Sequence, residues 1–186
     1  MSDKKIFRLG MVLGRFQPLH AGHEEIIRAA LARCERVCVL VGSAQEMGTE
    51  KNPFSYALRR ELLADVFGHE LSVYPLPDAG LGNNSAWGGY VLQKVRDYIG
   101  VGPDLFVSGE EQRRESWFAP QVRAGEITEL FVPKTVDISA ERMRVFLKEN
   151  NLMAWQAYTN PCLWSYYETL RELVLSSGGV SETASM

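Results

Sequence analysis

Gly14-Arg15-Phe16-Gln17-Pro18-Leu19-His20-Ala21-Gly22-His23 decides how this chain is read. The stretch follows an apolar run from Ile6 to Leu13 and opens a helical pattern near Gly22. Two histidines three residues apart stand at a strand-to-helix junction, with glycines on both sides and an arginine upstream. Free N–H groups at a helix N-terminus attract anions, and glycine lets a phosphate approach the backbone closely. The stretch therefore predicts a phosphate site.

The flanking chain repeats the same alternation. Ile6 to Leu13 is mostly apolar, as a buried parallel strand should be. Glu24 to Arg36 places Ile26, Ile27, Ala30 and Leu31 on one helix face, and Val37 to Val41 is a second buried strand. Together they form a βαβ unit. Asn52-Pro53-Phe54-Ser55 opens a helix with Leu58, Leu62, Leu63 and Val66 as its apolar stripe. Leu71 to Leu76 predicts a third strand, Pro77 to Gly89 a loop containing Trp87, and Tyr90 to Ile99 a helix. Asp104 to Val107 and Glu129 to Val132 are two more short strands, with a partly helical charged stretch from Glu110 to Ala119 between them. Ser139 caps a helix running to about Asn150, and a last helix covers about Pro161 to Leu175.

This order predicts a doubly wound parallel α/β sheet with helices on both faces and C-terminal helices. Residues 1–175 are expected to form a single domain, and 176–186, small and polar, a disordered tail. In such sheets ligands sit at the carboxyl ends of the strands. The polar residues of interest fall in the loops that leave those ends, at 14–23, 42–53, 77–89 and 108–110, and in the loop before Ser139.

The chain has 186 residues, 46% of them hydrophobic, which is enough for one core. A net charge of −3 and a pI of about 5.7 give no reason to expect nucleic acid or an anionic membrane as main partner. Any anion site must be local, built from a few basic residues in a cleft. There is no 18-residue apolar run and no charged-then-apolar leader, so a soluble, cytoplasmic protein is expected. Cys34, Cys38 and Cys162 are an odd number, against a disulfide framework; the first two read as small core hydrophobes.

Three roles are open to His20 and His23, which share a face if the helix begins near them. As metal ligands they lack companions, since His69 is the only other histidine and no cysteine is near in sequence. As buried or capping residues they would be ordinary. As donors to phosphate oxygens at a helix N-terminus they are well placed, and charge developing during phosphoryl transfer needs such donors.

The stretch resembles the G-x-F-x-P-x-H-x-G-H signature of the nucleotidyltransferase superfamily, with every fixed position filled. Ile138-Ser139-Ala140-Glu141-Arg142-Met143-Arg144 resembles the superfamily's I-S-x-T-x-x-R, with Glu141 in place of threonine. Within the superfamily the chain looks most like nicotinamide-nucleotide adenylyltransferase of the archaeal type. Gly42-Ser43-Ala44-Gln45 is similar to that branch's G-S-A-Q. Asn52-Pro53-Phe54 followed by Arg59 resembles its N-P-F-T-x-x-E-R, with Leu58 in place of the glutamate and Lys51 at the basic position before it. Asp78 and Asn84 to Trp87 resemble its loop for the nicotinamide ring, and Ser108-Gly109 the S-G ending its fourth strand.

The resemblance implies a Rossmann-like core and transfer of AMP from ATP to nicotinamide mononucleotide, giving NAD and pyrophosphate. It implies His20, His23 and Arg144 as catalytic residues at the phosphates. Gly14, Arg15, Phe16, Gly22, Lys51, Ser108, Gly109 and Ser139 are implied for ATP and phosphate binding. Gln45, Asp78, Asn84 and Trp87 are implied for the acceptor, Trp87 as a stacking partner of the cationic ring and Asn84 as a partner of the carboxamide. Mg²⁺ is expected to enter with ATP and not on a protein cluster, and a homo-oligomer is compatible with the family. Arg59, in a helix, reads as a solvated or ion-paired surface residue and stays outside this set. Glu141 suits a helix N-terminus but opposes a phosphate; it either points outward, helps hold Mg²⁺, or reduces activity. Two other readings keep the fold: a different phosphorylated acceptor, as in pantetheine-phosphate or cytidylyl transfer, and a weakly catalytic nucleotide-binding regulator.

Overall fold

The computed structural model describes residues 5–82, 84–109 and 117–178. Five parallel strands form one sheet: β1 (Phe7–Gly14), β2 (Cys34–Gly42), β3 (Leu71–Leu76), β4 (Leu105–Ser108) and β5 (Thr128–Phe131), in the order β3-β2-β1-β4-β5. That is the doubly wound order, in which the chain reverses direction across the sheet beside β1. The helices are α1 (Ala21–Leu31), α2 (Tyr56–Phe67), α3 (Ser85–Ile99), α4 (Ala119–Arg123), α5 (Ala140–Lys148), α6 (Leu152–Gln156) and α7 (Tyr167–Ser177). None of the described helices is long and apolar enough to cross a membrane.

The sheet separates two cores because successive strand residues point to opposite faces. Val37, Val39 and Val41 of β2 join Ile27 of α1, Leu62 and Leu63 of α2 and Met143 of α5 on one side. Cys38 and Leu40 join Val91, Leu92 and Val95 of α3 on the other. Each buried leucine of this kind stabilises the fold by roughly 1.5–3 kcal/mol. Cys34 and Cys38 are free and fully buried, and burial pushes their thiols up to about 11 and about 12. They are inert core residues, as the sequence predicts.

The helix expected over Glu24 to Arg36 runs instead from Ala21 to Leu31, with β2 beginning at Cys34, and three further boundaries differ from expectation. The loop after β3 is shorter than 77–89, since α3 begins at Ser85 and takes in Trp87. The Asn84 side-chain oxygen Oδ1 accepts from the N–H groups of Ala86 and Trp87 and starts the helix there. Gly88 and Gly89, which read as loop residues, lie inside it. A Cβ on Gly88 would stand 1.9 Å from the Trp117 carbonyl oxygen, so the glycine is a packing requirement and not a helix break. At the C-terminus, Pro161–Tyr166 is a 3₁₀ turn, and α7 continues through Ser176 and Ser177. Ser177 is buried and donates to the Val174 carbonyl, so the polar tail cannot begin at 176. The expected helical stretch after Ser108-Gly109 falls largely on 110–116, outside the described residues, as does 179–186.

Candidate active site

A cleft of about 790 Å³ opens at the carboxyl ends of β1, β4 and β5, within the usual size of a ligand pocket. Its floor is the stretch that follows β1. Phe16 leaves the strand with φ +52° and is buried beneath the cleft. That left-handed conformation is uncommon for a bulky residue and is held by the surrounding packing. Gly14 makes room for it: a Cβ there would meet the Phe16 ring at 2.9 Å.

His20 occupies the N-cap position of α1, and its carbonyl oxygen accepts from His23 and Glu24. Its imidazole stacks on that of His23 at 3.8 Å between centroids, and Phe16 packs on His23 at 4.8 Å. The Nδ1 atoms of both histidines are buried without a hydrogen-bond partner. Burial, with Lys134 as a further positive charge, holds His20 down at about 4. Burial, His20 and Lys134 hold His23 well below its ordinary value. Both are therefore neutral at pH 7 in the free protein. Buried polar atoms are nearly always satisfied, so two orphans on one wall mark a place built for a ligand.

The opposite wall comes from the far end of the chain. The Ser139 hydroxyl accepts from Arg142 N–H at 3.2 Å and caps α5, with its N-terminus facing the cleft. Arg144 lies on the same wall, half-buried, and donates to the Gln17 carbonyl at 2.8 Å. Burial, and Arg15 after it, lower the Arg144 pKa, while Glu141 and Glu50 act the other way. Glu141 also lines the cleft and thus offsets the cationic charge around Arg144. Arg142 is exposed and lies over the Phe146 ring.

All the residues assigned to the phosphates and to catalysis line this one cleft: Gly14, Arg15, Phe16, His20, Gly22, His23, Lys51, Ser108, Gly109, Ser139 and Arg144. Gly22 is close-packed, since a Cβ there would lie 3.3 Å from the His20 ring. Gln45, Asp78, Asn84 and Trp87 are not among its lining residues. Asp78 accepts from Ser43 and from Gln45 Nε2 at 2.9 Å, and its N–H donates back to Gln45 Oε1. Asn84 is occupied as the cap of α3, and its Nδ2 donates to the Leu81 carbonyl. Trp87 packs on Trp117 at 4.4 Å between ring centroids, and it is Trp117 that reaches the cleft wall.

Sequence reasoning missed three residues. Lys134 is an exposed cation on the cleft wall, close enough to act on both histidines. Its only signal is its place just before the Ser139 helix. Gln17 is buried; its Nε2 donates to the Phe54 carbonyl and its Oε1 accepts from Phe54 N–H, both at 3.0 Å. Arg59 is fully buried, not a surface residue, because backbone carbonyls at the ends of β1 and β2 supply its partners.

A family model described as cytidylyltransferase-like matches residues 11–157, most of the chain and both walls of the cleft. The chain belongs to the cytidylyltransferase-like family. A nicotinamide-nucleotide adenylyltransferase from Aeropyrum pernix is 40% identical over 107 residues, covering 54% of this chain and 58% of the relative. One from Saccharolobus solfataricus is 42% identical over 89 residues, covering 44% and 50%. The chain thus spans about half the length of these curated relatives. A further nicotinamide-nucleotide adenylyltransferase, from Pyrococcus horikoshii, is 32% identical over 155 residues, covering 68% of this chain and 79% of the relative. A solved bifunctional NMN adenylyltransferase/ADP ribose pyrophosphatase from Francisella tularensis, complexed with AMP and a manganese ion, superposes with a TM-score of 0.69 at 18% identity. It covers 91% of this chain and 52% of that one. At that identity it establishes the shared fold of this cytidylyltransferase-like chain.

Proposed function

We propose that this chain is an adenylyltransferase that moves AMP from ATP to nicotinamide mononucleotide, releasing pyrophosphate and NAD. One observation carries the reading: a single cleft joins the paired histidines of the β1–α1 junction to Ser139 and Arg144 of α5, with two imidazole nitrogens left unpartnered. The relatives named above share that activity in their names.

A phosphate oxygen of the mononucleotide attacks the α-phosphorus of ATP, a new P–O bond forms, and the bond to the pyrophosphate breaks. The acceptor phosphate is already an anionic nucleophile, so no enzyme nucleophile is needed. The protein's work is positioning and neutralising charge. His20 and His23 donate to phosphate oxygens; Arg144, Arg15, Lys51 and Lys134 balance the triphosphate's charge; Ser139 and the α5 N-terminus hold the departing pyrophosphate. Among the described residues no three His, Cys, Asp or Glu gather into a metal cluster. Mg²⁺ fits as a companion of the triphosphate oxygens, with Glu25, Glu50 and Glu141 as the carboxylates that line the cleft. The Asp78–Gln45–Ser43 group and the Trp87–Trp117 pair are the acceptor side of this reading.

The test is a pyrophosphate-release assay with Mg²⁺, ATP or CTP, and a panel of phosphorylated acceptors. Turnover is expected with ATP and nicotinamide mononucleotide and is lost when the divalent ion is chelated. Turnover only with CTP and a phospho-alcohol, or only with a pantetheine phosphate, would overturn the reading. Nucleotide binding with no turnover on any acceptor would leave a regulator in its place. The same assay compares nicotinamide with nicotinic acid mononucleotide, and size-exclusion chromatography with light scattering reads the oligomeric state.

A further inference from the structure

Arg59 sits on α2, outside the cleft, yet it is fully buried and all four of its hydrogen bonds go to backbone carbonyls. Nε donates to Ser55 in its own helix at 3.2 Å. One Nη donates to Arg15 at 2.9 Å and to Gly42 at 2.8 Å, and the other to Ser43 at 3.1 Å. Arg15 follows the end of β1, and Gly42 and Ser43 stand at the end of β2. Both turns are strained where the guanidinium reaches them: Phe16, after Arg15, has φ +52°, and Ser43 has φ +47°. Neither is glycine, so something outside the turns must hold them there.

The two turns carry the two sides of the reaction. The first presents Arg15 and leads into His20 and His23; the second presents Ser43 and Gln45, which bond Asp78. We infer that Arg59 is a positioning residue that sets the ATP half of the site against the acceptor half. It does so by clamping the carbonyls of both turns with one rigid fork. This rests on the adenylyltransferase reading for the identity of the halves, but not for the clamp. A guanidinium presents five donors in a fixed plane; a lysine ammonium has three donors on a flexible stem and cannot span both turns. Removing the guanidinium would leave the carbonyls of Arg15, Gly42 and Ser43 unpaired, so Arg59 also stabilises the fold; the shared clamp in addition ties the direction of one turn to that of the other.

The test uses Arg59→Lys and Arg59→Gln in the full chain, assayed at low temperature, with a cooperative thermal transition as proof of folding. For Arg59→Lys, kcat is expected to fall about 10- to 100-fold, the scale of a small misplacement of reacting groups, with both KM values within about threefold. Arg15→Ala is then added to each background. The losses from Arg15→Ala and Arg59→Lys are expected to be strongly non-additive, because Arg59 acts partly through the backbone that aims Arg15. A variant with wild-type kcat and a lowered Tm, losses that multiply, or failure of both variants to fold would each overturn the inference in favour of a role in stability. The same cycle is read as affinity for a non-hydrolysable ATP analogue. If wild-type protein turns over no acceptor, coupling in that affinity still supports the clamp, and only the proposed reaction fails.

Discussion

His20 and His23 lie in a cavity wall, beside a lysine, with their Nδ1 atoms unpaired. Neutral imidazoles there can donate one proton each to phosphate oxygens; burial is the main cause of their lowered pKa, and a bound polyanion, opposite in charge to Lys134, favours their protonated forms against it. Triphosphate binding should therefore draw protons in. Below the bound-state pKa the apparent affinity rises as pH falls, and the rise ends near pH 4, where free His20 is itself protonated. Calorimetric titration of an ATP analogue in buffers of different ionisation enthalpy measures that uptake; zero uptake at pH 6 would contradict it. His23→Ala should lower kcat by roughly two to three orders of magnitude, the cost of losing one transition-state donor. Steady-state rates check this, and a variant retaining more than a tenth of wild-type kcat would remove His23 from the catalytic set.

At the scale of elements, α3 shows how one helix can be misread. Its first turn holds Asn84 as cap and Gly88 as the point of close approach to Trp117. Asn84→Ala should cost about 1 kcal/mol of stability, and Asn84→Asp, which keeps an oxygen at the cap, much less. Equal losses in denaturant unfolding would show that the cap oxygen is not what matters. Gly88→Ala places a methyl where the Trp117 carbonyl stands, and overpacking of that kind costs about 1–3 kcal/mol. A raised acceptor KM alongside the stability loss would tie the Trp87–Trp117 pair to the acceptor. A shift in ATP KM alone would not fit that placement. The α5 N-terminus needs no such correction, because Ser139 stands at the N-cap position that its place in the sequence predicts.

For the whole molecule, the sunken histidines make acid a solvent for the fold. His20 has an ordinary value of 6.5 when unfolded and about 4 when folded, so the folded state binds fewer protons. Its contribution is fully present above pH 6.5 and is lost as pH falls from about 6.5 towards about 4, a change of about 3 kcal/mol for His20. Denaturant unfolding of the nucleotide-free protein across pH 4–8 should show that limb, and His20→Gln should flatten it. A stability that is level between pH 6.5 and 4.5 would mean the histidines are better solvated than their setting indicates.

Much of this protein is written locally. The alternation of apolar runs with helical stripes determined the parallel α/β sheet, because a strand buried on both faces and a helix buried on one leave different periods in the chain. The Gly14–His23 stretch and the Ser139–Arg144 stretch each carried their own chemistry, since a phosphate site at a helix N-terminus is made by neighbours in sequence. What the chain could not state is anything that depends on a partner far away. The meeting of His23 with Arg144, the burial of Arg59 under Arg15 and Gly42, the place of Lys134 on the wall, and the length of α3 were decided only by packing. An arginine in a helix looks solvated until carbonyls from two other strands close over it. A glycine looks like a loop until a tryptophan backbone fills the space beside it.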